Sequence, residues 1–180
     1  MLTTAVIEAL VAAGELKPWT APGVLVPRRG FYVTDRVERA LKNPWRPLGG
    51  ESAETIARQY RDMIDLLSVW QRGDAIVARD QLKPMSDPPP RAERVWSLRA
   101  TLAPPGARTL GILAARNIFV ATGVGPRDRL GSKGSPAWNA YVGEALRRYD
   151  AWFPGDDALK WSPGYRFEQR HMKDFCDDVR

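Results

Sequence analysis

Apolar positions recur at three- and four-residue steps in two long stretches of the chain. From Ser52 to Arg72, the residues Ile56, Tyr60, Met63, Ile64, Leu67 and Trp70 fall on one helical face, and Gly73 supplies a stop. From Pro136 to Trp152, the residues Trp138, Tyr141, Val142, Ala145, Leu146, Tyr149 and Trp152 repeat that spacing behind Ser135, a good N-cap. Both stripes predict core-facing helices. A shorter amphipathic run over 2–13 places Leu2, Val6, Leu10 and Val11 together and ends at Gly14.

Between the helices the period changes. Val95 to Leu102 alternates, the run Ala103-Pro104-Pro105-Gly106 predicts a turn, and Thr109–Ala114 and Asn117–Thr122 flank Ala115-Arg116 as a β-hairpin. Upstream, Val24-Leu25-Val26 reads as one strand in a Pro- and Gly-rich connection. Phe31-Tyr32-Val33 starts another, Asp35 caps a short helix that Pro44 ends, and 43–50 is loop. The last stretch predicts a helix carrying Met172, Phe175, Cys176 and Val179. The expected class is α+β, helices packed on a small antiparallel sheet.

Composition fits this picture. The chain has 180 residues, 44% hydrophobic and 27% charged, with fifteen Pro and fifteen Gly, the profile of a folded domain with many turns. No apolar run approaches the roughly 18 residues of a membrane span. No charged segment leads into an apolar one as in a signal peptide, so a cytoplasmic location and no membrane partner are expected. The single cysteine, Cys176, excludes an internal disulfide and a cysteine-rich zinc site.

Charge changes the picture more. Residues 1–90 are almost balanced and residues 137–180 carry a net of −1, while residues 91–136 carry a net of +6, equal to the excess of the whole chain. Seven of that window's eight cations are arginines: Arg91, Arg94, Arg99, Arg108, Arg116, Arg127 and Arg129, with Lys133 the eighth. Clustered arginine is the footprint expected for phosphate partners. Other chemistry is thin. His171 is the only histidine and reads as solvated or capping, the acidic pairs Asp156-Asp157 and Asp177-Asp178 are too common a feature to define a metal site, and Gly123-Val124-Gly125 lacks a dinucleotide-fold context. No cofactor and no metal are expected.

The segment Ile118-Phe119-Val120-Ala121-Thr122-Gly123-Val124-Gly125-Pro126-Arg127-Asp128-Arg129 resembles the last strand and basic loop of the RelE/HigB superfamily of bacterial toxins. In that family an apolar strand runs into Gly-Val-Gly-Lys-Arg-Glu-Arg. Gln81-Leu82-Lys83-Pro84-Met85 resembles the stretch after the family's helical hairpin, and Trp96-Ser97-Leu98-Arg99 its strand ending in Leu-Arg. Arg108 stands where the family has Tyr-Arg-Val-x-Tyr, and Glu144-Ala145-Leu146-Arg147-Arg148 where it ends. The resemblance covers 31–152, leaving 1–30 and 153–180 as N- and C-terminal extensions, both expected to be helical in part.

The resemblance implies a RelE-like fold and a toxin of a type II toxin–antitoxin system: a metal-independent endoribonuclease cleaving mRNA at the ribosome, held by a cognate antitoxin protein. The 2′-hydroxyl would attack the adjacent phosphorus in line, which needs cations around the developing charge. By the same resemblance Arg108 and Arg127 face the scissile phosphate and Tyr141 is the C-terminal tyrosine. Lys83, Arg99, Arg116, Arg129 and Lys133 form the RNA-binding surface. Val95 and Ser97 stand where RelE carries lysines, Pro126 replaces a loop lysine, and Thr122 or Gly123 occupies the place of the HigB histidine. Acid–base candidates are then Tyr141, Asp128, Lys133 and His171. Two other classes stay open. A helix followed by a basic hairpin also fits a non-catalytic nucleic-acid-binding module, with Arg116 at the hairpin tip. Seven tryptophans and Pro-rich connections also fit a phage-type structural or interaction protein.

Overall fold

A computed structural model describes residues 2–77, 80–85, 89–155, 158 and 175–177. The chain forms α1 (Leu2–Ala12), β1 (Lys17–Pro18), β2 (Gly30–Val33), α2 (Asp35–Lys42), α3 (Ala53–Arg72), β3 (Leu82–Pro84), β4 (Trp96–Ala100), β5 (Ala107–Ala115), β6 (Ile118–Pro126) and α4 (Pro136–Trp152). The strands make one six-stranded sheet in the order β1-β2-β6-β5-β4-β3. The class is α+β, as the patterning predicts.

The sheet is mixed, however, not antiparallel. β3 to β6 form an antiparallel meander, but β2 lies parallel to β6, with Gly30 beside Ile118 and Val33 beside Ala121. Between β2 and β4 the chain passes through α2 and α3, and a connection of that length permits a parallel neighbour. A sequence pattern carries nothing about such a pairing.

Local signals set the long helices. Ser52 Oγ accepts from Thr55 N–H at 3.4 Å, and Gly73 closes α3 in the left-handed conformation at φ 78°, its N–H bonded to Trp70 O. Ser135 caps α4 through Trp138 N–H at 3.2 Å, with Pro136 in the first turn. Thr34, not Asp35, is the cap of α2. Its Oγ1 accepts from Val37 N–H, while Asp35 lies in the first turn and pairs with Lys17 at 2.8 Å.

Three further expectations are corrected. Val24-Leu25-Val26 is no strand. Gly23 turns the chain at φ 81° and Pro27 lacks a ladder donor, so only Val24 is buried while Leu25 and Val26 protrude. The hairpin turns on Arg116 and Asn117, not Ala115 and Arg116, because Asn117 takes the left-handed φ of 62° that asparagine tolerates. Phe175 to Asp177 are not helical, and the rest of the expected last helix, with Met172 and Val179, lies outside the described residues, as does His171.

Helices cover both faces of the sheet. On one, α2 and α3 bury Val37, Met63, Leu67 and Trp70 against Phe31, Trp96, Leu98 and Phe119. On the other, α1 and the C-terminal half of α4 enclose Ile112, Ala114 and Val120, with Ile7 rather than Leu10 as the most buried anchor of α1. The N-terminal half of α4 places Trp138, Val142 and Ala145 with Val95 and Leu110. Phe175 reaches the first core, its ring 4.7 Å from that of Trp96. Asp177 clasps the hairpin turn, accepting from Asn117 Nδ2 at 2.6 Å and from the Arg116 guanidinium. Among the described residues no helix is long and apolar enough to cross a membrane.

Candidate functional site

Strand register creates a concentrated charge site. β4 pairs with β5 so that Arg99 lies opposite Arg108, and Arg108 in turn lies opposite Gly125 of β6. Side chains alternate across a sheet. Leu98 and Ala107 belong to the core beneath α3 and Leu110 to that beneath α4, so Arg99 and Arg108 project on the α4 side. They lie one alternation beyond Leu110, the strand residue grouped with Trp138 in the first turn of α4. No side chain stands across from Arg108 on β6, and a Cβ added at Gly125 meets nothing within 4 Å.

Arg127 closes the third side. It follows β6 directly, and its N–H bonds Gly106 O at 2.9 Å, tying the end of the strand to the β4–β5 turn. Its guanidinium lies 5.6 Å from the centre of the Trp138 ring and donates to Gly131 O. Gly106 itself is needed in the turn. Its φ is 88°, and a Cβ there would sit 2.7 Å from Ala100 O. Together these residues bound an open pocket of about 310 Å³, lined by Arg99, Arg108, Arg127, Thr101, Pro105 and Gly106, with Asp80 also on its lining.

The electrostatics are those of crowded cations. Burial, and then the nearby Arg99 and Arg127, pushes the Arg108 guanidinium down to about 9. Burial and Arg127 also lower Arg99, opposed by Asp80. Among the described residues the Arg108 guanidinium has no hydrogen-bond or ion-pair partner. Three guanidinium groups gathered around one cavity with a single carboxylate make an anion receptor.

The remaining candidates lie elsewhere. Tyr141 lines a separate pocket of about 240 Å³ with Arg36, Thr122, Glu144 and Arg147, its ring 5.5 Å from the Arg36 guanidinium. It also lies over Gly123 of β6, two residues from Gly125, where an added Cβ would come within 3.2 Å of the ring. Arg129 forms a two-pronged pair with Glu51, at 3.1 and 2.6 Å, and donates to Arg46 O. That pairing holds the Glu51 carboxyl below the usual carboxylate range. Arg116 is committed to Asp177 at the hairpin tip. Lys83 lies on β3 opposite Ser97, and Lys133 is exposed ahead of α4, neither lining the arginine pocket. Asp128 is exposed in the turn after β6. The structure thus brings Arg99, Arg108 and Arg127 together and sets Tyr141, Arg116, Arg129, Lys83 and Lys133 apart from them. Asp80 and Arg36 were not singled out by the sequence, where nothing distinguishes them from other surface charges.

Comparison with protein-family models, with curated proteins and with solved structures returns no match.

Proposed function

We propose that the protein binds RNA, with Arg99, Arg108 and Arg127 holding a phosphate in the pocket at the ends of β4 and β5. The opposition of Arg99 and Arg108 carries this reading. Like charges placed directly across a strand pair work against folding, so their retention beside Arg127 is explained by an anion that binds among them. Arginine's planar fork suits phosphate oxygens in two-pronged contact. The test is fluorescence anisotropy of a short single-stranded RNA over a series of salt concentrations, for the wild type and Arg108→Met. The wild type binds with an affinity that falls as salt rises, and the variant loses roughly tenfold or more. Equal binding by the two proteins rejects the pocket.

A second reading goes further: a RelE/HigB-like toxin, an endoribonuclease acting in the cytoplasm on mRNA at the ribosome and restrained by an antitoxin. Two observations favour it. Arg108 and Arg127, the pair that the resemblance assigns to the scissile phosphate, share a pocket. The element order from α2 through α4 also runs two helices, strands and closing helix, the layout that the resemblance implies. In this reading the guanidiniums stabilise the phosphorane charge. Asp80 is the carboxylate on the pocket lining, and Tyr141 faces the neighbouring pocket. Growth arrest on induced expression, with new mRNA ends in wild-type but not Arg127→Ala cultures, supports cleavage. Intact mRNA leaves RNA binding alone.

A further inference from the structure

We propose that the pocket of Arg99, Arg108 and Arg127 takes a terminal phosphate monoester of RNA rather than a phosphodiester within the strand. This rests on the reading of the pocket as an RNA phosphate site and names the kind of phosphate.

The first argument is charge balance. Three guanidiniums and the Asp80 carboxylate leave the pocket lining a net of +2 among the described residues. A bridging diester carries a single negative charge and leaves that excess half matched. A terminal monoester carries about −1.5 to −2 at neutral pH and offers one more non-bridging oxygen than a diester. A dianion also gives most relief to Arg108, which has no ion-pair partner among the described residues and whose neighbours on β4 and after β6 are themselves cations.

The second argument is the arrangement of the other cations. A surface that follows an RNA backbone presents a stripe of positive groups at phosphate spacing. Here four of the arginines outside the pocket are paired with carboxylates: Arg129 with Glu51, Arg116 with Asp177, Arg91 with Asp150, and Arg147 with Glu144. The arginines of the pocket converge on a point instead of forming a line. The cavity, about 310 Å³, is at the small end for ligand sites, room for one nucleotide rather than a strand passing through. The β4–β5 turn, through Thr101, Pro105 and Gly106, walls one side.

The experiment compares one short single-stranded RNA carrying a 5′-phosphate, a 3′-phosphate, or hydroxyls at both ends, at constant salt. One of the phosphorylated forms binds roughly tenfold or more tightly than the hydroxyl-ended RNA. That advantage shrinks between about pH 7.5 and about pH 5, as the monoester gains its second proton near pH 6. Over that range Arg108, at about 9, keeps its charge. The hydroxyl-ended RNA, which carries no monoester, is the control for the pH series. Arg108→Met abolishes the preference, and Arg99→Gln serves as the second variant. Which phosphorylated form wins tells the 5′ from the 3′ end. Equal affinity of the three RNAs overturns the terminal-phosphate proposal while RNA binding stands. No binding by any of them overturns the RNA reading itself.

Discussion

Arg99 and Arg108 stand directly opposite one another on neighbouring antiparallel strands, two like charges at a position where a sheet ordinarily pairs opposites. The β4–β5 turn fixes this register, and Arg127, tied to that turn through Gly106 O, adds a third positive charge. An arrangement costly to the empty fold and favourable to a bound anion makes stability and binding trade against each other.

Replacing Arg108 separates the two. Arg108→Met keeps an apolar stem of similar length and removes the charge that Arg99 and Arg127 repel. The variant melts above the wild type while its RNA affinity falls roughly tenfold or more. Thermal unfolding followed by circular dichroism, alongside anisotropy, measures both. A variant that melts lower and binds as before contradicts the relationship.

Arg108 also sets a pH dependence. Its folded pKa, about 9, lies well below the ordinary guanidinium value, so the unfolded chain holds that proton more tightly than the folded one. The penalty for the charged form is fully present below about pH 9 and is relieved as pH rises from there toward the ordinary guanidinium value. Anion binding runs the other way, since it needs the charged guanidinium. RNA affinity therefore falls as pH passes about 9, a fall that is absent in Arg108→Met. Titration by anisotropy between about pH 7 and about pH 10 reads it.

Glu51 and Arg129 form a structural clasp between the 46–51 loop and the turn after β6. Because Arg129 holds the Glu51 carboxyl below its ordinary value, the wild type has this support above that value and loses it as pH falls. Glu51→Gln melts lower than wild type near neutral pH, and its RNA affinity does not fall. A drop in affinity on breaking the clasp would place Arg129 in the binding surface after all.

Gly111 shows how tightly the central strands meet. A Cβ at this position would lie 2.1 Å from Val120 O and 2.6 Å from the Phe119 ring, inside the register shift between β5 and β6. Gly111→Ala therefore costs about 3 kcal/mol or more, because backbone rather than a flexible side chain must move. Phe175→Ala, which empties the space against Trp96, costs about 3 kcal/mol. Chemical denaturation measures both.

How much of this was legible in the chain follows from how local each signal is. Ser52, Gly73, Ser135 and Pro136 mark the ends of α3 and α4 within a few residues of where they act, and both helices formed where the periodicity put them. The β5–β6 hairpin was legible too, displaced by one residue because the left-handed tolerance of Asn117 outweighs strand length in choosing the turn. The parallel contact of β2 with β6 and the two-residue β1 depend on partners far along the chain, and periodicity is silent on them. In the site, all three arginines lie in the charge-rich window, and the resemblance assigns Arg108 and Arg127 to the phosphate and Arg99 to the RNA-binding surface. Their meeting depends on the β4–β5 register, which only the fold supplies. Tyr141 was expected with them. The phase of α4 turns it toward Gly123 and Arg36 instead.

The most direct test of the central claim watches the guanidinium groups themselves. In nitrogen-15 NMR of the arginine Nε–H groups, adding a short single-stranded RNA shifts the signals of Arg99, Arg108 and Arg127 and leaves those of Arg116 and Arg129 in place. Shifts confined to Arg116, Arg129 or other arginines, with the three pocket signals unmoved, would contradict it.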